Sequence, residues 1–532
     1  MSASREKKKR QEQYESGELT RAASSKPKKT IWKAVLGIVC AVVFVLVFVL
    51  LMFLNTGFME KHTTAATIGD HKLTPAMYNY FYKDSISTIQ NNYGSNWSSM
   101  VDTTKPYSEQ IYDQSTGQTW EEYFLSYTND AITEAYAVYD AAMDAGFTLD
   151  EDTENYITSF IDTMETSATT RGYSSANALL AANYGKGCNT DNYAEYLHVQ
   201  HIASAYAAQI RSGYTYTDEE KEAYYNEHHL DYDMVNFRIY MFDGTGKTDD
   251  NQTPTEEEQA AALVDAEAKA NEMASKIDSE DEFLRQAYMA DFEQTEDQAT
   301  AEAIANSSID SDTLQSRYTY SWCTYLGGDE CATWLFDENR QAGDTTTVTF
   351  NNYACVVYFL SRENNDYNLV NVRHILIAPE EVTATADEDE AETAARQEQA
   401  KADALARAQT ILDTYLAGDQ TAEAFGELAN ANSADTGSNT NGGLYENIYK
   451  GQTVEGFDDW CFDPVRKPGD TGIVETTYGY HIMYYVGTGD TYQHYLANNA
   501  LVNQAFTDWT DETTAGYTLT TSSFDMKFVN KD

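Results

Sequence analysis

Alternating apolar and polar residues mark two short β-strands in the C-terminal half of the chain. In Asn371–Ile377, the alternation places His374 and Leu376 on one face, because successive side chains of a strand point to opposite faces. The segment Thr476–Ile482 has the same β-prone character and carries His481. Each strand therefore contains one histidine, 107 positions from the other, and the residues between them carry the turn and helix signals of one small α+β domain.

Between these strands the apolar spacing becomes helical. It predicts a helix over Ala400–Leu416 that ends at Gly418, and a shorter helix over Ala422–Ala431. The acidic, Ala-rich residues Glu380–Glu398 look like an insert, which we interpret as a solvated or linking segment. A Ser/Asn/Gly loop and a turn at Lys467–Asp470 lead to the closing strand.

Helical spacing also dominates the chain from about residue 65 to 230. A short strand and turn lead into a helix, with Thr74 as the predicted N-cap and Pro75 at the first helical position. Four more helices are predicted over Trp120–Ala145, Asp150–Thr166, Asp191–Ser212 and Asp218–His228.

Residues 232–364 resemble the C-terminal segment and indicate an internal repeat. Asn236–Phe242 aligns with Asn371–Ile377, and Trp334-Leu-Phe336 aligns with Trp460-Cys-Phe462. In this alignment Ile239 and Ala354 stand at the two histidine positions, so the first copy would lack the histidines. A chance similarity of strand and helix signals is the alternative.

The N-terminal region contains an uncharged, mostly apolar run. Residues 34–54 provide 21 such residues, enough for one transmembrane helix. Residues 1–33 carry a net charge of +6 and the remainder of the chain carries −56. Positive flanking charge keeps that side cytoplasmic, so we expect a single-pass membrane protein whose main body is extracytoplasmic. A cleavable signal peptide is the competing interpretation.

Charge also restricts the partners. The net charge of −50 excludes a nucleic-acid-binding class, because phosphate binding needs clustered Lys and Arg. We expect no metal and no cofactor, since the chain has no nucleophile elbow, no phosphate-binding glycine loop and no zinc-protease helix motif. The oligomeric state stays open, with a dimer as one option.

Residues 366–488 resemble a parvulin-type peptidyl-prolyl cis/trans isomerase. The resemblance rests on the two histidine strands, on Asn432-Ser-Ala-Asp-Thr-Gly-Ser438, which is similar to the family's Ser-x-Asp-x-Gly-Ser loop, and on Tyr478-Gly-Tyr-His481. The order of strands and helices is that of the family. With the helical region, the chain resembles exported foldases of the SurA/PrsA type.

The resemblance implies a proline-binding site. It assigns catalytic roles to His374, Asp435, Thr476 and His481, and substrate-binding roles to Phe457 and Thr453. Thr453 departs from the Met or Leu of the family, and Gly442-Gly-Leu-Tyr-Glu-Asn-Ile448 departs from the family's Gly-Gly-Asp-Leu-Gly-Trp-Phe run. The alternative is that the two histidines only satisfy each other within the fold.

We therefore expect an α+β foldase that binds unfolded or newly secreted polypeptides and isomerises X–Pro bonds. A non-catalytic holdase of the same architecture and a surface scaffold or adhesion protein are the alternatives. The predicted regions are a basic cytoplasmic tail, a transmembrane helix, a helical chaperone domain, a degenerate parvulin-like domain, the isomerase domain and a C-terminal segment packing on the helical region; they span 1–33, 34–54, 62–231, 232–364, 366–488 and 489–532.

Overall fold

A computed structural model of the chain shows a mixed helical and sheet fold. It describes residues 3–17, 39–48, 53, 56–246, 254–292, 298–308, 318–322, 330–384 and 390–531. The chain divides into two compact units, one of Met1–Tyr214 with Ala505–Asp532 and one of Thr215–Gln504.

The described strands are short in the first unit and longer in the second. Numbered along the chain, they are β1 (Ala66–Ile68), β2 (His71–Leu73), β3 (Ile111–Asp113), β4 (Gln118–Thr119), β5 (Met234–Asp243), β6 (Thr319–Trp322), β7 (Thr345–Phe350), β8 (Tyr353–Glu363), β9 (Asn368–Ile377), β10 (Leu444–Ile448), β11 (Thr471–Thr476), β12 (Gly479–Thr491) and β13 (Thr520–Thr521).

Helices make up most of the first unit. As predicted, Thr74 caps the first long helix by accepting a hydrogen bond from the Met77 amide, with Pro75 at its start. The sequence missed the helix Ala176–Tyr184. The α-helices that begin in this unit are Ala3–Glu15, Phe58–His62, Pro75–Tyr93, Trp97–Met100, Trp120–Asp144, Glu151–Thr170, Ala176–Tyr184 and Thr190–Gly213.

Aromatic side chains form the core of this unit. Tyr78, Tyr80 and Tyr82 are all fully buried although they are close together on one helix, so that helix is covered on several sides. The chain ends in the same unit, where β13 pairs with β1 and the Tyr517 hydroxyl donates to Asp140 at 2.8 Å. Much of the aromatic content therefore serves packing.

The prediction of a transmembrane helix over residues 34–54 is wrong. In the part of the chain that the structure describes, no helix combines the length and apolar character needed to cross a bilayer. Residues 34–38, 49–52 and 54 of the predicted span lie outside the described residues.

The second unit contains two antiparallel four-stranded sheets. Their strand orders are β6-β5-β8-β7 and β10-β9-β12-β11, so the two sheets share one connectivity. The α-helices that begin in this unit are Asp218–His228, Glu256–Ala274, Glu280–Phe292, Gln298–Ser308, Glu330–Leu335, Glu390–Ala417, Ala422–Asn432, Glu455–Phe462 and Tyr492–Thr514.

Corresponding side-chain contacts recur next to the two sheets. The Arg466 guanidinium stacks on Trp460 at 4.4 Å and donates to the Trp460 carbonyl at 3.1 Å. Arg340 stacks on Trp334 at 3.9 Å and donates to the Trp334 carbonyl at 3.1 Å. The two sheets thus share both their strand order and the Arg–Trp contacts beside them, and the internal repeat stays a prediction.

Strand register corrects one position of the sequence alignment. Met241 lies opposite Cys355, as Leu376 lies opposite His481, so Cys355 and not Ala354 is the counterpart of His481. Ile239 remains the counterpart of His374. Since Cys355 and Ile239 belong to one apolar cluster, the first copy has hydrophobic packing where the second has imidazoles.

The acidic insert is also more ordered than expected. Glu390–Ala417 forms one continuous helix, so the described second half of the predicted linking segment is helical. Residues 385–389 lie outside the described residues. The Ala, Glu, Gln and Arg residues of this stretch are strong helix formers, which explains why the helix begins before the predicted Ala400.

The sheet β10-β9-β12-β11 has two different faces. Ile375 and Ile482 pack against the helices Glu390–Ala417 and Ala422–Asn432. Val372 and Met483 pack on the other face with the helix Glu455–Phe462. His374 and His481 lie on this second face, where polar side chains interrupt an otherwise apolar layer.

Candidate active site

Two neighbouring strands position the histidines. On β9 and β12, His374 lies opposite Met483, and His481 lies opposite Leu376. The histidines are therefore diagonal neighbours on one face, a separation that long side chains can bridge. Their Nδ1 atoms are 3.0 Å apart, and the residues are only 3% and 6% exposed.

Each imidazole has a further partner on its Nε2 atom. His374 Nε2 lies 2.9 Å from Asp435 Oδ2, and His481 Nε2 lies 2.9 Å from Thr476 Oγ1. The Thr476 hydroxyl in turn accepts from the Tyr478 amide at 3.2 Å. Thr476, His481, His374 and Asp435 thus form one continuous chain of hydrogen bonds.

The loop after the helix Ala422–Asn432 holds Asp435 in place. Asp435 Oδ1 accepts from the Gly437 amide at 3.1 Å, and Oδ2 accepts from the Ser438 hydroxyl at 2.5 Å. The loop is tied to β9, because the His374 amide donates to the Gly443 carbonyl at 2.8 Å. The carboxylate is therefore oriented before any substrate binds.

The electrostatics determine which atoms carry protons. Burial alone would raise the pKa of Asp435, but hydrogen bonds from Ser438, the Gly437 amide and His374 lower it below its usual 3.8. An ionised carboxylate only accepts, so we assign a proton to His374 Nε2. Burial lowers the pKa of His374 despite Asp435, so this ring is neutral and its Nδ1 accepts.

The same reasoning gives the direction of the whole chain. Burial and the proximity of His374 lower the pKa of His481 to about 4, so His481 is also neutral. Because His374 Nδ1 accepts, His481 Nδ1 must donate, and His481 Nε2 then accepts from the Thr476 hydroxyl. All donors point from Thr476 toward Asp435, which makes a polarised chain that ends on a negative charge.

Phe457 packs against both histidines. Its ring centroid lies 5.3 Å from each imidazole centroid, in edge-on geometry, and the residue is 4% exposed. The structure therefore brings Phe457, Thr476, Asp435 and the histidines together. Their roles remain predictions. Thr453 is not part of the chain; its hydroxyl donates to Asp458 at 3.4 Å.

Sequence reasoning missed two residues that contact this chain. Ser438 donates to Asp435 and lies 3.3 Å from His374 Nε2; it belonged to the recognised loop motif but received no role. The Tyr445 hydroxyl donates to Asp435 Oδ2 at 3.1 Å. Its signal in the sequence is the altered segment 442–448, which departs from the run of the parvulin family.

A separate acidic group is a poor candidate for metal binding. Among the described residues, Asp218, Asp490 and His494 place their ligand atoms close together. The Lys221 ammonium already bridges Asp218 and Asp490 at 2.8 and 2.7 Å. Since this cation neutralises the carboxylates, the three residues and Lys221 form an ion-pair network.

Comparison with known families agrees with the geometry. The PPIC-type PPIase domain family matches residues 357–486, a range that contains every residue of the hydrogen-bond chain. Residues 357–486 are a PPIC-type PPIase domain. The expected parvulin type of isomerase is thereby confirmed for this part of the chain, with a start nine residues before the predicted 366.

The chain is also similar to curated proteins that are named foldases. Foldase protein PrsA 1 of Listeria innocua is 39% identical over 61 residues, 12% of this chain and 21% of that protein. The chain thus spans about a fifth of the length of the curated relatives it matches.

Solved structures give looser matches. PrsA from Bacillus subtilis is 12% identical with a TM-score of 0.25 and covers 77% of this chain and 89% of its own. NmPin, the parvulin of Nitrosopumilus maritimus, is 24% identical with a TM-score of 0.15 and covers 23% of this chain and 98% of its own.

Proposed function

We propose that this chain is an extracytoplasmic foldase that isomerises X–Pro bonds in unfolded, secreted polypeptides. The observation that carries the proposal is the directed chain Thr476–His481–His374–Asp435 with Phe457 packed on both imidazoles. The PPIC-type domain match and the relationship to a protein named a foldase support it.

Isomerisation of an X–Pro bond requires few chemical groups in the active site. Rotation about X–Pro faces a barrier of roughly 18–20 kcal/mol, because C–N resonance is lost as the bond twists. No covalent bond is broken, so a pocket that binds the twisted form better than the planar form is sufficient. Lowering the barrier by about 3–5 kcal/mol gives a rate enhancement of roughly 10²–10⁴.

Each residue has a place in this proposal. Phe457 packs against the pyrrolidine ring of the substrate. The two histidines are buried and neutral, so they exclude water and place no charged side chain beside that ring. Asp435 makes the far end of the hydrogen-bond chain negative and so sets the polarity beside the substrate carbonyl. Thr453 contributes little, because its hydroxyl is directed to Asp458.

Client binding is assigned to the helical region, residues 62–231 together with 489–532. Most aromatic rings there are core, but Tyr156 and Phe160 stack at 5.9 Å on one helix and are 55% and 37% exposed. Exposed aromatic pairs suit weak binding of unfolded segments. Residues 232–364 are proposed as a parvulin-like copy without activity.

The second candidate is a holdase without isomerase activity. The low exposure of Phe457 favours it, since a substrate proline contacts this ring only if rim side chains move. An isomerisation assay with a short proline peptide on the full chain separates the two. Catalysis that disappears in His481→Leu supports the foldase, whereas a wild-type rate equal to buffer leaves the holdase.

An aggregation assay with an unfolded client distinguishes a surface scaffold from a foldase or a holdase. Suppressed aggregation of an unfolded client by the full chain supports a foldase or holdase, and the double variant Tyr156→Ser/Phe160→Ser should suppress it less. No suppression by the wild type would favour the scaffold.

A further inference from the structure

One tyrosine side chain, Tyr445, contacts both the hydrogen-bond chain and Phe457. The Tyr445 ring packs edge-on against His374, with 5.0 Å between centroids, and against Phe457, with 6.4 Å between centroids. Its hydroxyl donates to Asp435 Oδ2 at 3.1 Å. Tyr445 is half-buried, whereas His374 and Phe457 are buried, so it lies on the solvent side of both.

Tyr445 contacts Asp435 Oδ2, an oxygen with more hydrogen-bond donors than good acceptor positions. Asp435 Oδ2 accepts from Ser438 at 2.5 Å, from His374 at 2.9 Å and from Tyr445 at 3.1 Å. A carboxylate oxygen has two in-plane lone pairs, so three donors compete for two good positions. The Tyr445 bond is the longest of the three and its donor is the one nearest solvent, which makes it the bond most readily exchanged.

We propose that Tyr445 is a catalytic residue whose hydroxyl leaves Asp435 and donates to the prolyl nitrogen of the substrate. This inference rests on the proposed isomerase function. In the planar peptide the nitrogen lone pair is delocalised into the carbonyl group and is a poor acceptor. As the bond twists, the lone pair localises on nitrogen and becomes available. The hydrogen bond therefore forms in the twisted state alone, which is the condition for lowering the barrier.

The exchange needs no proton transfer and no other reactant. The phenol keeps its proton while the hydrogen bond moves from the carboxylate to the nitrogen, and Asp435 remains paired with Ser438 and His374. Burial and the nearby Asp435 charge raise the pKa of Tyr445, so the hydroxyl remains a donor at neutral pH. Contact with Phe457 places the hydroxyl-bearing ring beside the side chain that we propose holds the proline.

The test is the conservative variant Tyr445→Phe in the full chain, assayed with a short proline peptide. Loss of one neutral hydrogen bond formed in the twisted state should lower kcat about tenfold and leave KM within about twofold. The ring nitrogen signals of His374 and His481 in NMR spectra should stay at their wild-type positions, because Asp435 keeps its other donors. Ser438→Ala is the matched comparison, since it removes a different donor from the same oxygen and should shift the His374 signals.

The outcomes separate this inference from the proposed function. An active wild type with an equally active Tyr445→Phe variant overturns the role of Tyr445 and leaves the isomerase intact. A fall in kcat accompanied by shifted His374 signals also overturns it, because Tyr445 would then act through Asp435. A wild-type rate equal to buffer overturns both proposals.

Discussion

His374 and His481 share a single proton between their Nδ1 atoms, which lie 3.0 Å apart. Two protonated Nδ1 atoms cannot face each other at this distance, and two unprotonated ones would make no bond. Protonation of one ring therefore disfavours protonation of the other. Because Asp435 fixes a proton on His374 Nε2, the shared proton belongs to His481, and this defines the direction of the whole chain.

Replacing His481 with leucine should abolish catalysis and weaken the fold. In His481→Leu, His374 Nδ1 becomes a buried acceptor without a donor, at a cost of about 1–3 kcal/mol. We expect isomerisation to fall to the buffer rate and urea unfolding of this domain to occur at a lower concentration. Met483→Leu is the control: it lies on the same strand face, conserves volume and should cost less than about 1.5 kcal/mol. Wild-type turnover in His481→Leu would contradict a catalytic role.

The stability of the domain should rise with pH between about 4 and 6.5. The pKa of His481 is about 4 in the folded chain, against an ordinary 6.5, so the unfolded chain binds more protons in that window. The stabilisation is complete above pH 6.5 and is lost as pH falls to 4, with a total on the order of 3 kcal/mol.

Hydrogen exchange of peptides from β9 and β12, corrected for intrinsic rates, measures this dependence. His481→Gln removes one of the two buried imidazoles and should make the curve shallower in the same window, while His374, whose pKa burial also lowers, accounts for the remaining slope. A wild-type profile no steeper than that of the variant would show that the pKa of His481 is not lowered in the folded chain.

Asp435→Asn should reduce both stability and activity. The carboxylate accepts from the Gly437 amide, Ser438, His374 and Tyr445, whereas an amide would turn an NH₂ group toward one of these donors. We expect a loss of about 1–3 kcal/mol in unfolding free energy and a marked fall in kcat. Asp459→Asn, an exposed acid on the neighbouring helix, removes the same charge and should change neither quantity measurably.

Local patterns predicted much of the fold and of the site. The cap at Thr74, the helix Asp218–His228 and the two histidine strands follow from spacing of a few residues, which sequence records directly. The transmembrane prediction is wrong, since no helix within the described ranges has the length and apolar character to span a bilayer. The helix Glu390–Ala417 extends beyond the predicted Ala400–Leu416 because the acidic, Ala-rich stretch before Ala400 has high helix propensity.

Register and side-chain direction could not be predicted in this way. Ala354 was aligned with His481 by letter similarity, yet a shift of one residue moves a strand side chain to the opposite face. Ala354 lies in a different apolar cluster from Ile239, and only pairing between strands reveals this. Tyr445 and Ser438 reach Asp435 through the folding of a loop, so their roles depend on distances that no sequence spacing records.

Gly443→Ala should disrupt the site through the backbone alone. Gly443 has φ of +70°, and an added Cβ would lie 2.2 Å from the His374 carbonyl oxygen and 3.0 Å from Ala429 Cβ. Left-handed strain of about 1–2 kcal/mol adds to a clash with β9 that rigid backbone cannot relieve, so we expect a total loss of about 3 kcal/mol or more.

The matched control is Gly451→Ala, which has φ of +79° and nothing within 4 Å of the added Cβ. It carries the same left-handed strain without the clash, so it should lose only about 1–2 kcal/mol and keep its isomerase activity. Urea unfolding of both variants, with the proline-peptide assay, measures the difference. Equal losses in the two variants would mean that β9 moves away freely from the loop. In that case the close contact of Gly443 with His374 would not be what holds Asp435 in reach of the histidines.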